Sequence, residues 1–205
     1  MATSAFRIAI LFSGSGTTLQ NLIDATRDGR LRRVEVVKAI SSRRDAYGIE
    51  RCRAAGVPCV VVSKKRYPDP VEHSQAVFAH LDPAEVDLVC LAGWMNRLVL
   101  SEPWLERRVI NIHPSLLPAF GGAGMYGSRV HEAVLASGAS ETGCSVHWVN
   151  NEYDAGPVIE SRRVPVLPGD TPESLAARVQ AAERELYVEV LERLSNASSE
   201  AAPDR

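Results

Sequence analysis

The sequence lacks long apolar runs, paired metal-ligand spacings and any marked excess of charge, and each absence removes a class of function. The first apolar run, residues 8–12, leads straight into Ser13-Gly14-Ser15-Gly16. It reads as a buried strand entering a turn rather than as a signal peptide. No run approaches the roughly 20 apolar residues of a membrane span, so a cytoplasmic location is expected. The four cysteines, Cys52, Cys59, Cys90 and Cys144, include no C-x-x-C pair. Buried reduced thiols are expected rather than disulfides or zinc. The five histidines form no close ligand-type pair, so no metal is expected. A net charge of -2 supplies no field for nucleic acid or an acidic membrane. It leaves room for a local basic pocket that takes a small anion.

What is present is an ordinary globular chain of 205 residues, 45% hydrophobic and 23% charged, long enough for a sizeable core. Strand and helix signals alternate. Residues 6–12 are β-rich, Gly14 and Gly16 make a tight turn, and residues 17–26 carry Leu19, Leu22 and Ile23 at helical spacing. Strands are expected at 34–40, 59–62, 87–92 and 109–113. Helices are expected at 45–55, stopped by Gly56 and Pro58, and at 71–81, ended by Asp82-Pro83. This rhythm predicts an α/β fold with a doubly wound, mostly parallel, Rossmann-like sheet. Ligands of such sheets bind beyond the carboxyl ends of the strands. Residues 114–127 are rich in Pro and Gly and too long for a simple connector. A helix at 130–136 and strands at 142–149 and 158–166 follow. A last helix opens with Asp170 or Thr171 as N-cap and Pro172 in its first turn, and is expected to run to Leu194. Residues 1–194 are expected to form a single domain with halves at about 6–110 and 111–194, and residues 195–205 a flexible tail.

Three stretches follow strand ends or join strands. Ser13-Gly14-Ser15-Gly16-Thr17-Thr18 lies between a strand and a helix. Backbone N–H groups at a helix start bind anions, and glycines allow close approach. The stretch lacks the lysine of a P-loop and the third glycine of a dinucleotide fingerprint. A single phosphate therefore fits better than a nucleoside triphosphate or NAD, and a plain tight turn is the alternative. Asn111 and His113 stand two apart on one strand, so both face the same side. An amide donor beside an imidazole polarises a carbonyl and stabilises an oxyanion. A strand-end histidine in a structural hydrogen bond is the alternative. Residues 150–157 exceed a tight hairpin and carry Glu152 and Asp154. A carboxylate reaching His113 would favour the imidazolium, against the alternative of a solvated acidic loop. His147, on the preceding strand, reads as a core or supporting histidine.

In this order and spacing, Ser13 to Gln20, Leu91-Ala92-Gly93-Trp94-Met95, Asn111 to Pro118, Thr142 to His147 and Asp154 to Ile159 resemble the phosphoribosylglycinamide formyltransferases, folate-dependent enzymes of purine biosynthesis. The resemblance spans residue 6 to about 191. It implies 10-formyltetrahydrofolate as co-substrate, no permanently bound cofactor or metal, small-molecule partners only, and a monomer or homodimer. It also implies roles. Gly16, Thr17 and Thr18 would hold the ribose phosphate of glycinamide ribonucleotide. Asn111 would bind the formyl oxygen, His113 would be general acid, and Asp154 would raise the His113 pKa and orient the ring. Met95, Asn96, Arg97 and Leu98, with Asn111, Asn150, Asn151, Glu152, Tyr153 and Asp154, would line the folate pocket. Gln180 and Glu183, on one helix face, would contact the ribonucleotide, and Ser145 and His147 would support the catalytic groups.

The chain departs from the pattern in places. Relatives commonly carry Met-Arg-Ile-Leu where it has Met95-Asn96-Arg97-Leu98. Pro70 stands near where an arginine would meet the folate tail, and Lys65 and Arg66 are the nearest basic substitutes. The stretch from Gly121 to Gly127 is longer than in many relatives and reads as a lid or a plain insertion. Alternatives within the group are a sugar-amine formyltransferase, a formyltetrahydrofolate hydrolase and a methionyl-tRNA formyltransferase. The last two commonly carry an extra domain that is not expected here. From other classes, a non-catalytic nucleotide-binding module or a nucleotide-dependent oxidoreductase could use the same fold.

Overall fold

Apolar runs bounded by glycine and proline become strands in the computed structural model, which describes residues 5–105 and 107–200. The elements are β1 (Phe6–Phe12), α1 (Thr17–Arg27), β2 (Val34–Ser41), α2 (Gly48–Ala55), β3 (Cys59–Val61), α3 (Pro70–Phe78), β4 (Leu88–Leu91), β5 (Val109–His113), α4 (Ser128–Ala136), β6 (Glu141–Trp148), β7 (Val158–Pro165) and α5 (Pro172–Glu200). The fold is α/β with a mostly parallel sheet, as expected. The chain divides into two compact units, Met1–Val109 with Val188–Arg205, and Ile110–Tyr187.

In the first unit β3, β2, β1 and β4 lie side by side, all parallel. Residues 8–12 of β1 and all of β4 are buried, as apolar strands covered on both faces must be. α1 starts where Gly16 turns with φ 71°, and a Cβ there would lie 2.7 Å from the Gly48 Cα. Conformation and space both require glycine. α2 begins three residues later than expected. Gly48 sits against Phe12, where a Cβ would come within 2.4 Å of the ring, while Asp45 is drawn into a pair with Arg43 at 2.6 Å. α3 opens on Asp69, whose Oδ1 accepts the N–H groups of Val71 at 2.8 Å and Glu72 at 3.0 Å. This cap satisfies two of the donors that a helix start leaves open. α3 ends at Phe78 rather than Leu81.

In the second unit β5, β6 and β7 are antiparallel. The register sets Asn111 opposite His147 and His113 opposite Ser145. At the start of α5 the Thr171 hydroxyl accepts the Ser174 N–H at 3.3 Å, and Asp170 pairs with Arg178 at 2.7 Å. The helix does not stop at Leu194. Ser195 is buried and its hydroxyl donates to the Glu192 carbonyl at 2.8 Å, so helix replaces the expected tail up to Glu200. Residues 201–205 lie outside the described residues. Among the described residues no helix is long and apolar enough to cross a membrane. The four cysteines are free thiols, and Cys52, Cys90 and Cys144 are buried.

β6 and β7 approach so closely at Gly143 that a Cβ would lie 1.9 Å from the Arg162 carbonyl oxygen. Backbone cannot swing aside as a side chain can, so Gly143→Ala should cost about 1–3 kcal/mol or more, read as a lower urea midpoint. Gly14→Ala, with no atom within 4 Å of the added carbon, should leave the midpoint nearly unchanged. Equal midpoints for the two variants would refute the packing argument.

Candidate active site

The antiparallel pairing of β5 with β6 builds a polar cluster from the period-2 pattern of the strand. His147 Nδ1–H donates to the Trp148 carbonyl at 3.0 Å. Its Nε2 therefore keeps a lone pair, which accepts an Asn111 Nδ2–H at 3.1 Å. One Asn111 amide hydrogen remains for another partner. Burial is the foremost cause that lowers the His147 pKa, and the Trp148 carbonyl and the Asp154 charge offset it only in part. His147 is thus a neutral, oriented acceptor.

His113 is buried and donates Nε2–H to the Phe120 carbonyl at 2.9 Å. Its Nδ1 faces Asp154 Oδ2 at 3.6 Å, and Asp154 Oδ1 faces His147 Nε2 at the same distance. Both spacings exceed a hydrogen bond, so Asp154 acts on the rings through its charge. Oδ2 is instead held by the Gly122 N–H at 3.0 Å. Acceptors face both nitrogens of His113, the Phe120 carbonyl at Nε2 and the Asp154 carboxylate at Nδ1.

The loop that carries Asp154 is fixed by steric constraint. A Cβ at Gly156 would lie 1.7 Å from the Trp148 carbonyl oxygen, and the Trp148 N–H donates to the Pro157 carbonyl at 3.0 Å. The Asn150 side chain accepts the Glu152 N–H at 3.0 Å. Asp154 itself has φ 52°, a conformation that aspartate tolerates better than most residues. Asn151, Glu152 and Tyr153 are exposed and Asn150 is half-buried. Across β5, the fully buried Ser145 donates to the Ser115 carbonyl at 2.8 Å and accepts the Leu117 N–H at 3.1 Å. It pins the chain just after His113-Pro114.

The structure therefore brings together Asn111, His113, Asp154, His147 and Ser145. It also adds partners that side-chain patterns do not reveal: the Phe120 carbonyl, with Phe120 at φ 53°, and the Gly122 N–H. His131 on α4 is a further omission. It is buried, its Nδ1 has no partner, and burial followed by the His113 charge lowers its pKa. A histidine amid the apolar spacing of Val130 and Val134 was the available signal. On α5, Gln180 is exposed and Glu183 partly buried.

The glycine turn belongs to the first unit. Ser13 Oγ accepts the Ser42 hydroxyl at 2.7 Å and the Met95 N–H at 2.9 Å, tying the ends of β1, β2 and β4. The turn, with Gly16, Thr17 and Thr18, lines a cavity of about 1100 Å³ that Met95 and Asn96 share. Leu98 is buried, so its side chain serves the core, while Arg97 is exposed. Among the described residues no group of three His, Cys, Asp or Glu side chains could hold a metal ion.

Residues 6–191 match the model of the formyl transferase family. The chain belongs to the formyl transferase family. It is 39% identical over 190 residues to the trifunctional purine biosynthetic protein adenosine-3 of Homo sapiens, covering 91% of this chain and 18% of that protein. It spans only 14% to 18% of the length of the trifunctional relatives it matches. With the phosphoribosylglycinamide formyltransferase of Haemophilus influenzae it shares 35% identity over 184 residues, 88% of this chain and 83% of that one. The solved structure of glycinamide ribonucleotide transformylase 1 from Symbiobacterium toebii aligns with a TM-score of 0.85 at 41% identity, covering 94% of this chain and 89% of that one.

Burial raises the Glu183 carboxyl to about 7, with Arg184 opposing. Its folded pKa then exceeds the unfolded value near 4.5, so the folded state holds an extra proton between the two. The group costs nothing below pH 4.5, costs progressively more as pH rises, and reaches its full penalty above 7. Glu183→Gln should therefore be more stable than the parent at pH 8, by roughly 1–3 kcal/mol, with no such gain at pH 4.5. Urea unfolding at both pH values checks this, and a gain independent of pH would contradict it.

Proposed function

We propose that the chain transfers the formyl group of 10-formyltetrahydrofolate to the amine of 5'-phosphoribosylglycinamide, giving formylglycinamide ribonucleotide and tetrahydrofolate in purine biosynthesis. The observation that carries this reading is the cluster of Asn111, His113 and Asp154 at the end of β5, with His147 holding Asn111 at 3.1 Å. The names of the Haemophilus influenzae and Symbiobacterium toebii relatives, which the chain covers over most of their length, support it.

The chemistry follows from the groups present. The substrate amine attacks the formyl carbon and a tetrahedral oxyanion forms. The free Asn111 amide hydrogen and His113 Nε2–H meet that oxygen, the latter leaving the Phe120 carbonyl. Donors already oriented spend little reorganisation energy when charge develops. The bond from carbon to the folate nitrogen then breaks. The nitrogen takes a proton from His113, and the proton that the attacking amine gives up restores His113. Asp154 stabilises the imidazolium through its charge at 3.6 Å. No covalent enzyme intermediate is needed, and neither is a metal. The N–H groups of Gly16, Thr17 and Thr18 hold the ribose phosphate. Met95, Asn96 and Arg97 and the 150–154 loop hold the folate, and Gln180 and Glu183 the ribonucleotide. The enzyme works in the cytoplasm, as a monomer or homodimer.

The test is turnover with glycinamide ribonucleotide and a 10-formyl folate, following the deformylated folate. Asn111→Ala and His113→Ala should each lose about 100- to 1000-fold in kcat. Near-normal rates in either variant would sink the assignment of roles. Deformylation that proceeds without the amine would point to a hydrolase instead.

A further inference from the structure

The cavity at the Gly16 turn carries more positive charge than one phosphate requires. Its lining includes five cations, Arg43, Arg44, Lys64, Lys65 and Arg66, against the single acid Asp45. This local excess of four positive charges sits in a chain whose net charge is -2. Asp45 is committed to Arg43, with contacts of 3.0 Å and 2.6 Å. The other four cations join no ion pair among the described residues. The loops that carry them are close together, since both line the one cavity. Arg66 lies over the Tyr67 ring at 5.5 Å, which limits where its guanidinium can reach.

Three features define the ligand. The α1 N-terminus contributes N–H groups with no helical acceptor, and Thr17 and Thr18 add hydroxyls. Those donors suit a phosphate, which carries about two negative charges. Arg44, Lys64, Lys65 and Arg66 come from the loops after β2 and β3, a separate bank of charge with no counterpart in one phosphate monoester; Lys65 and Arg66 are also the cations nearest a folate tail, which makes an acidic tail the competing occupant. The volume of about 1100 Å³ lies just above the usual range of ligand pockets, roughly 300–1,000 Å³. Tetrahedral, oxygen-rich groups match arginine forks and lysine charges better than dispersed carboxylates do.

We propose that this cavity binds a linked diphosphate, as in a nucleoside di- or triphosphate, with one phosphate on the Gly16 turn and the next against Arg44, Lys64, Lys65 and Arg66, in competition with the phosphate of the substrate. The proposal rests on the reading of the turn as a phosphate site. It makes the pocket a point at which nucleotides restrain the enzyme by occupying the substrate's place.

Calorimetric titration of the full chain tests it with orthophosphate, AMP, pyrophosphate, ADP and tri-γ-glutamate at fixed ionic strength. Pyrophosphate should bind at least tenfold tighter than orthophosphate, and ADP at least tenfold tighter than AMP. In Lys64→Gln/Lys65→Gln, two exposed positions, both advantages should shrink to under threefold while orthophosphate affinity changes less than twofold. The control Arg129→Gln, on α4, should keep the advantages. ADP binding tighter than pyrophosphate identifies a nucleotide as the ligand, and equal binding identifies the diphosphate itself. Pyrophosphate no tighter than orthophosphate overturns the proposal and leaves the phosphate turn standing. Tri-γ-glutamate binding that depends on Lys64 and Lys65, without a diphosphate advantage, overturns it in favour of an acidic tail. Absence of both orthophosphate and ADP binding removes the phosphate reading of the turn, and the proposal with it.

Discussion

The carbonyl of Trp148 accepts the Nδ1 proton of His147 at 3.0 Å, and the same oxygen stands where a Cβ on residue 156 would have to be. One backbone atom thus acts in two directions. Towards β5 it selects the His147 tautomer, which leaves Nε2 to orient the Asn111 amide. Towards the following loop it forces a glycine and a close return of the chain, which sets where Asp154 lies. Partners behind the acting groups fix their tautomer and direction in this way in many sites. Here that support is backbone rather than side chain.

The electrostatics follow from the same arrangement. Asp154 lies 3.6 Å from each of two buried imidazoles, in surroundings where water screens little. The two rings are not equivalent. Burial keeps His147 neutral, and a neutral His147 is what Asn111 needs as acceptor. His113 has acceptors on both sides, the Phe120 carbonyl and the Asp154 carboxylate. A single carboxylate thus faces one ring that holds a lone pair in place and another that has acceptors at both nitrogens. This division of labour underlies the proposed transfer.

Much of this was legible in the sequence where side-chain identity carries the signal. β1 and β5 coincide with the expected runs because apolar residues end abruptly at Gly14 or Pro114. Asn111 and His113 share a face because strand periodicity is two. The start of α2 was not legible, since it depends on Gly48 lying against Phe12, a contact 36 positions away in the chain. The end of α5 was missed because a Ser- and Ala-rich stretch reads as polar, yet Ser195 is buried. Asp154 was linked to His113 through the family resemblance, since nothing local in residues 150–157 distinguishes it from Glu152. The Phe120 carbonyl and the Gly122 N–H left no trace, because every residue but proline has the same backbone groups. The basic runs Arg43-Arg44 and Lys64-Lys65-Arg66 are visible in the sequence, but that both line one cavity with the glycine turn is not, because they lie on separate loops.

Gly156 also determines how this site can change over evolutionary time. A position open to solvent drifts through many residues with little effect. Position 156 has no such neutral neighbours: any side chain would collide with the Trp148 oxygen and push the loop outward, taking Asp154 with it. Variation in the adjoining exposed positions, Asn151, Glu152 and Tyr153, is free of that penalty. The loop can therefore vary there without disturbing the carboxylate, so long as the residue that anchors it stays the smallest one available.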